Sequence, residues 1–276
     1  MATKIRLLVI DGQTDFMDGP ANGALAVPGA WDDMTRLATM VDRLGPRLDD
    51  IDATLDSHRT IDIAHPGWWV DSAGRNPAPF TTIRAADVAG GLWSPRNPGW
   101  RERSLAYVRQ LEAKGKYELV CWPEHCLIGS AGHALHPGLF AALQRWERLE
   151  FGMVNFVTKG SNPWTEHYSA VAAEVPDPED PSTLLNSGLI DSLRESDVIL
   201  IAGEALSHCV KATVTDIADV IGEGHIRKFV FLQDASSSIP AIPNGPDFPA
   251  LGREFVRGMQ ARGMKVSTTT DFLAGA

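Results

Sequence analysis

Six short apolar runs, separated by stretches of helix length, limit what this chain can fold into more than any other feature. They cover residues 6–10, 51–55, 153–157, 198–202, 228–232 and 265–269. Most are β-branched or Leu-rich without strict alternation, as expected of strands buried on both faces of a parallel sheet. Between them, helix-like stretches cover residues 30–48 (with Met34, Leu37, Val41 and Leu44 on one stripe), 104–113, 136–149, 183–193, 210–222 and 248–262. The alternation predicts an α/β fold: a three-layer αβα arrangement around a doubly wound, mostly parallel six-stranded sheet. Six units fall short of the eight a barrel needs. At 276 residues the chain suits one domain spanning 1–276.

One segment breaks the alternation. Residues 66–101, with HPGWWVDSAGRNPAPF at their start and GGLWSPRNPGW near their end, show neither strand nor helix period. A loop this long in a compact domain is usually functional or disordered. Its tryptophans argue for order, so the expectation is an inserted lid or an oligomer contact, with exposed Trp-rich loops favouring a homo-oligomer. Residues 175–181 (VPDPEDP) read as an acidic surface loop.

Composition removes several function classes. Lys plus Arg number 25 against 35 Asp plus Glu, a net charge of −10, and there is no basic run, so no nucleic-acid partner is expected. No apolar stretch reaches the 18 or so residues needed to span a membrane. The first apolar run ends in Asp11 rather than at a small-residue cleavage site, so it reads as a strand and not as a signal peptide. The three cysteines, Cys121, Cys126 and Cys209, make no disulfide framework. A reduced, cytoplasmic protein is the expectation.

Ligands of open parallel sheets bind beyond the carboxyl ends of the strands. Here those ends run into Asp11, into Asp56 and His58, into Lys159, and into Gly203 and the turn that leads to Cys209. Singly, each has a plainer explanation: a turn cap, a solvated loop lysine, a small buried thiol. Cys209 opens a helical pattern, where a helix N-terminus would lower its pKa toward the thiolate that attacks carbonyl carbon. A nearby Lys would act in the same direction, an Asp could shuttle the proton, and free amides of the turn could bind an oxyanion. His208 is a rival base, although adjacent side chains at a helix start diverge. Asp56 and His58, two apart at a strand end, face the same way. With His65 and the His125 of WPEHC they suit Zn²⁺, Fe²⁺ or Mn²⁺, against the plainer reading of a surface His bonded to an Asp. Cys126 and Cys121 read as core residues.

Taken together, LLVIDGQTDF, GALAVPGA, DSHRTIDIAH, WPEHC, VTKG, GEALSHCVKATVTDIA and FLQDAS resemble, in order, the motifs of nicotinamidases, within the isochorismatase-like cysteine hydrolases. The resemblance spans roughly residues 5–238 and implies that family's Rossmann-like fold. It implies a triad of Asp11, Lys159 and Cys209, and one divalent ion, Zn²⁺ before Fe²⁺ or Mn²⁺, on Asp56, His58 and His125. His65 fills a position that ligates metal in some members only. Phe16 and Trp122 fall where the family lines a pocket around a pyridine ring, and Tyr168 where a Tyr often reaches it. A cis peptide between Glu204 and Ala205 is implied, with an oxyanion hole from the N–H groups of Ala205 and Cys209. The departures are Gly12 and Thr14 in the first motif, Glu204 where a hydrophobic residue is common, Ser207 where an acidic one is, and GSAGH after WPEHC.

The implied activity is hydrolysis of nicotinamide to nicotinic acid and ammonia through a Cys209 thioester. A carbamoyl or ureido compound or another small amide is the alternative substrate. Two other readings stay open at this stage: attack by a metal-bound water with Cys209 merely structural, and a pyridine-binding module without turnover.

Overall fold

The computed structural model describes residues 3–241 and 247–275. In chain order the strands are β1 (Ile5–Ile10), β2 (Asp50–Asp56), β3 (Trp69–Val70), β4 (Thr81–Ile83), β5 (Ser94–Pro95), β6 (Leu119–Cys121), β7 (Asn155–Lys159), β8 (Val198–Gly203), β9 (Phe229–Leu232) and β10 (Lys265–Ser267). The α-helices are α1 (Ala30–Leu44), α2 (Ala85–Gly90), α3 (Arg101–Lys114), α4 (Pro137–Glu150), α5 (Ser187–Arg194), α6 (Lys211–Ile221), α7 (Glu223–Ile226) and α8 (Phe248–Ala261).

Six strands form one sheet in the order β10-β9-β8-β1-β2-β7, and every pairing is parallel. The central strand β1 is buried along its whole length, which is why its apolar residues run on without alternation. From β1 the chain steps one way to β2 and β7; from β8 it steps the other way to β9 and β10. Right-handed crossovers in opposite directions put their helices on opposite faces. Accordingly α1 packs on α4, and α5 packs on α6. The reversal falls between β1 and β8, and the crevice beyond their carboxyl ends is where such a sheet offers a site.

Acidic β2 is tolerated in the sheet because its charges are answered at both ends. Buried Arg6 pairs with Asp50 and Asp52, each at 2.8 Å, and Asp56 reaches Lys159 at the opposite end. Between β1 and β8 the backbones approach so closely that a Cβ on Gly203 (φ 123°) would lie 1.9 Å from the Ile10 carbonyl oxygen. Only glycine fits there.

The expected strands and helices are present, with two shifts. The run at 153–157 is a strand only from Asn155 to Lys159. Met153 is 87% exposed, because β7 lies at the sheet edge where apolar pattern and register are loosely tied. The helix expected at 183–193 begins at Ser187, where the Asn186 side chain accepts from the Leu189 N–H and caps it.

The Trp-rich segment departs from expectation more clearly. It carries β3, β4, β5 and α2, with β3 on β5 and β4 on β6 as antiparallel pairs. Trp68 and Trp69 are buried, and their indole N–H groups donate to Ser104 Oγ (3.1 Å) and to the Ile63 carbonyl (2.8 Å). Trp100 and Trp164 close around Trp68. The tryptophans therefore belong to the core, and an exposed Trp surface for oligomer contact is not what they form. The segment lacks a period because two-residue strands and scattered anchors have none. Among the described residues no helix is long and apolar enough to cross a membrane.

Gly203→Ala is expected to cost roughly 3 kcal/mol or more, at the upper end for point substitutions, because two backbones must part. Denaturant unfolding compared with the parent chain measures it.

Candidate active site

Lys159, the last residue of β7, is fully buried and sits among four groups. Its Nζ lies 2.9 Å from Asp11 Oδ2, 3.0 Å from Asp56 Oδ1 and 3.7 Å from Cys209 Sγ, and donates to the His167 carbonyl at 2.9 Å. Burial opposes its charge, but Asp11 and Asp56 outweigh that and hold its pKa well above the usual value. Asp11 follows β1 in a left-handed conformation (φ 47°). Thr54, on neighbouring β2, fixes it twice: its hydroxyl donates to Asp11 Oδ1 at 2.5 Å and accepts from the Asp11 N–H at 3.0 Å.

Cys209 lies in a π-helical turn, Leu206–Val210, that leads into α6. Its sulfur and one oxygen each of Asp11 and Asp56 are within 4.8 Å of one another. The sequence leads one to expect a thiol lowered toward thiolate. The structure reverses this: burial raises the thiol well above its usual pKa, Lys159 pulls it down, and the carboxylates of Asp11 and Asp56 push it up. Burial also raises Asp11, against the pull of Lys159. The thiol thus lies close to the Asp11 carboxylate.

His208 does not supply a Cys–His pair. Burial lowers it to about 3, its Nδ1 meets Ser207 Oγ at 3.0 Å, and its ring packs on Phe248 and Trp122. Ala205 precedes the π turn, and the Glu204–Ala205 peptide is cis. Its carbonyl accepts from the N–H groups of His208 and Val210, while its own N–H has no acceptor among the described residues.

A second cluster adjoins the first. Nitrogens of His58, His65 and His125, all buried, lie within 4.8 Å of one another. Each Nδ1 has an acceptor: Asp62 Oδ2 at 3.1 Å for His58, the Arg59 carbonyl at 3.2 Å for His65, and the Pro123 carbonyl at 2.8 Å for His125. For His65 and His125 a donated Nδ1–H leaves the Nε2 lone pair facing inward, as metal-ligating imidazoles require; His58 meets a carboxylate at each ring nitrogen, and Asp56 and Asp62 raise its pKa well above the usual value against the opposing effect of burial. His65 Nε2 is buried without a partner, and Asp56 Oδ2 lies 3.1 Å from His58 Nε2 and 3.6 Å from His125 Nε2. Three imidazoles around a common point, with the Asp56 carboxylate beside two of them, fit a divalent ion. Cys126 is buried outside this group, as expected of a core thiol.

A narrow cleft, with about 20 Å³ of free space, adjoins both clusters. Phe16, Trp122 and Tyr168 line it with His125, Ala205, His208 and Cys209. Trp122 Nε1 donates to the Tyr168 hydroxyl at 3.0 Å, so the two rings are held as a pair. All the site residues singled out in the sequence therefore meet at one place.

Others are visible only in three dimensions. Gln13 clamps the backbone of Asp56, donating to its carbonyl at 2.7 Å and accepting from its N–H at 2.6 Å. Glu166 lines the cleft with one buried, unpartnered oxygen, and burial raises it to about 7. Asp62, four residues after His58, had a readable spacing; Gln13 and Glu166 had none.

No family model matches the sequence. The nicotinamidase of Escherichia coli (strain K12) is 29% identical over 218 residues, which cover 76% of this chain and 74% of that one. The structure of yeast nicotinamidase bound to the inhibitor nicotinaldehyde superimposes with a TM-score of 0.63 at 19% identity, over 96% of this chain and 99% of that one. Pyrococcus horikoshii pyrazinamidase in complex with zinc does so with a TM-score of 0.55 at 19% identity, over 96% and 99%.

Asp62→Ala removes the acceptor that orients His58 and is expected to weaken divalent-ion affinity by about 10- to 100-fold. Competition against a chromophoric chelator reads this directly, without any assay of turnover.

Proposed function

We propose that this chain, a homologue of nicotinamidases with the isochorismatase-like hydrolase fold, hydrolyses nicotinamide to nicotinic acid and ammonia, with Cys209 as the nucleophile. The observation that carries the reading is Cys209 and Asp11 gathered around the Lys159 ammonium, under a cleft walled by aromatic rings.

The residues divide the work by position. Asp11 accepts the thiol proton as sulfur attacks the amide carbon. Lys159, already held charged, favours the thiolate that forms. The oxygen of the tetrahedral intermediate is taken by the N–H groups of Ala205 and Cys209, where one such donor is worth about 10² to 10³ in rate. Asp11 then returns the proton to nitrogen, the C–N bond breaks, and ammonia leaves a thioester. Water, giving its proton to Asp11, attacks the thioester carbon; the C–S bond breaks, and the proton passes back to sulfur.

Phe16, Trp122 and Tyr168 would sandwich and edge the pyridine ring. Asp56, His58, His65 and His125 would hold one divalent ion, Zn²⁺ before Fe²⁺ or Mn²⁺. Bound there, the ion supplies a Lewis-acid contact for the ring nitrogen or for a water. With nicotinic acid as the product, NAD salvage in the cytoplasm is the role this reading proposes. A homo-oligomer is part of this reading, on a surface other than the buried Trp68 and Trp69.

Cys209→Ala is expected to abolish ammonia release from nicotinamide and to leave the thermal unfolding midpoint nearly unchanged, since a small side chain replaces a small one. Retained turnover would refute the covalent scheme. A thioester adduct of acyl mass, trapped by acid quench and seen by mass spectrometry in the parent and not in the variant, would support it. A panel of small amides, carbamoyl and ureido compounds, assayed for ammonia, tests the substrate.

A further inference from the structure

The edge strand β7 pairs with β2 on one side and, among the described residues, with no strand on the other. An open edge presents a row of unpaired N–H and C=O groups, which proteins usually blunt with lysines, prolines, bulges or a covering loop. Residues 151–158, FGMVNFVT, hold neither a charge nor a proline. Their large side chains face outward: Phe151 is 92% exposed, Met153 87% and Phe156 44%. An apolar, uncharged window of this kind on a bare edge invites pairing with another chain.

The two ends of this edge differ in shape. Before β7, Leu149, Phe151 and Met153 stand out from the surface. At the other end a surface cavity with about 300 Å³ of free space opens beside Thr158, lined also by His167, Leu184, Leu185 and Asn186. No Asp, Glu, Lys or Arg lines it, and Leu184 and Leu185 are themselves exposed.

A two-fold axis across an antiparallel pair of edges exchanges those two ends. It sets the projecting side chains of one chain against the cavity of the other, and does so twice. A single chain therefore carries both halves of the contact, and a second copy is the partner that supplies them together. Charge favours the same surface. Each copy bears −10, so two copies meet at least cost where no charge has to leave water. The area is sufficient as well. With roughly 150–250 Å² for each aromatic side chain and somewhat less for Leu and Met, these apolar residues offer roughly 600–800 Å² per copy, close to one side of a standard interface.

We propose that β7 pairs antiparallel with β7 of a second copy, with the two-fold axis beside Phe156. The two six-stranded sheets then join into one, and residues 151–153 of each chain seat at the cavity beside Thr158 of the other. This gives the homo-oligomer of the proposed function its surface; it rests on that part of the reading and not on the reaction.

Sedimentation velocity of the full chain at micromolar concentration is expected to show a species of twice 29.9 kDa. The double variant Met153→Lys, Phe156→Lys places like charges across the axis and is expected to raise the dimer dissociation constant about 100-fold or more, with an unchanged far-UV circular dichroism spectrum. A second variant does not depend on the lysines being tolerated. Directly opposed residues of an antiparallel pair lie about 4.5–5.5 Å apart at Cα, within disulfide reach, so Phe156→Cys is expected to give a chain-to-chain disulfide under mild oxidation. The native cysteines are all buried, and the parent chain is expected to give none. A monomeric parent would overturn both this interface and the homo-oligomer. A dimer that survives the two lysines, or that gives no cross-link through residue 156, would overturn this interface and leave the homo-oligomer on another surface. Assemblies that keep growing with concentration would also overturn it, because a two-fold pair closes at two copies.

Discussion

A lysine ammonium removed from water is the constraint on which the rest of this site depends. Desolvating such a charge costs several kcal/mol, and its environment must return that in full. Lys159 finds two carboxylates and a backbone carbonyl within 3.0 Å. Asp11 ends β1 and Asp56 ends β2, while Lys159 ends β7, two strand spacings or about 9.6 Å from β1. Only a long side chain lying across the top of the sheet can join all three. Parallel strands with common carboxyl ends make this possible, and the glycine-only contact of β8 with β1 brings the cysteine turn up beside it.

Asp56 gives the site its second property. One of its oxygens meets the ammonium and the other faces the imidazoles of His58 and His125. The triad and the imidazole cluster are thus two sides of one carboxylate. Gln13 holds the backbone of that residue from both its N–H and its carbonyl, so neither side can shift without the other.

The buried setting also decides how the thiol is prepared. In a wet turn, a helix start and a lysine would favour thiolate. Here desolvation raises the thiol, and two carboxylates add to it. In the proposed reaction, attack goes with proton transfer to Asp11, and the geometry that matters is that of the thiol, Asp11 and the turn at Ala205 together.

The sequence by itself determined the elements and the cast. Unbroken apolar runs in regular alternation with helical stripes could only be a covered parallel sheet, and polar residues just past those runs had to lie along one edge of it. The motif order supplied Asp11, Lys159, Cys209, the four metal-binding candidates and the aromatic walls. Tertiary structure decided whatever depends on distance or on exclusion of water. Trp68 and Trp69, which look like surface material among prolines and glycines, are core because two-residue strands and hydrogen-bonded indoles place them there. Gln13 and Glu166 have no local signal, because what they face in the site is distant in the chain. The pKa of Cys209 moved opposite to the local expectation for the same reason: a helix start is written in a few neighbouring residues, whereas burial is a property of everything that packs around them.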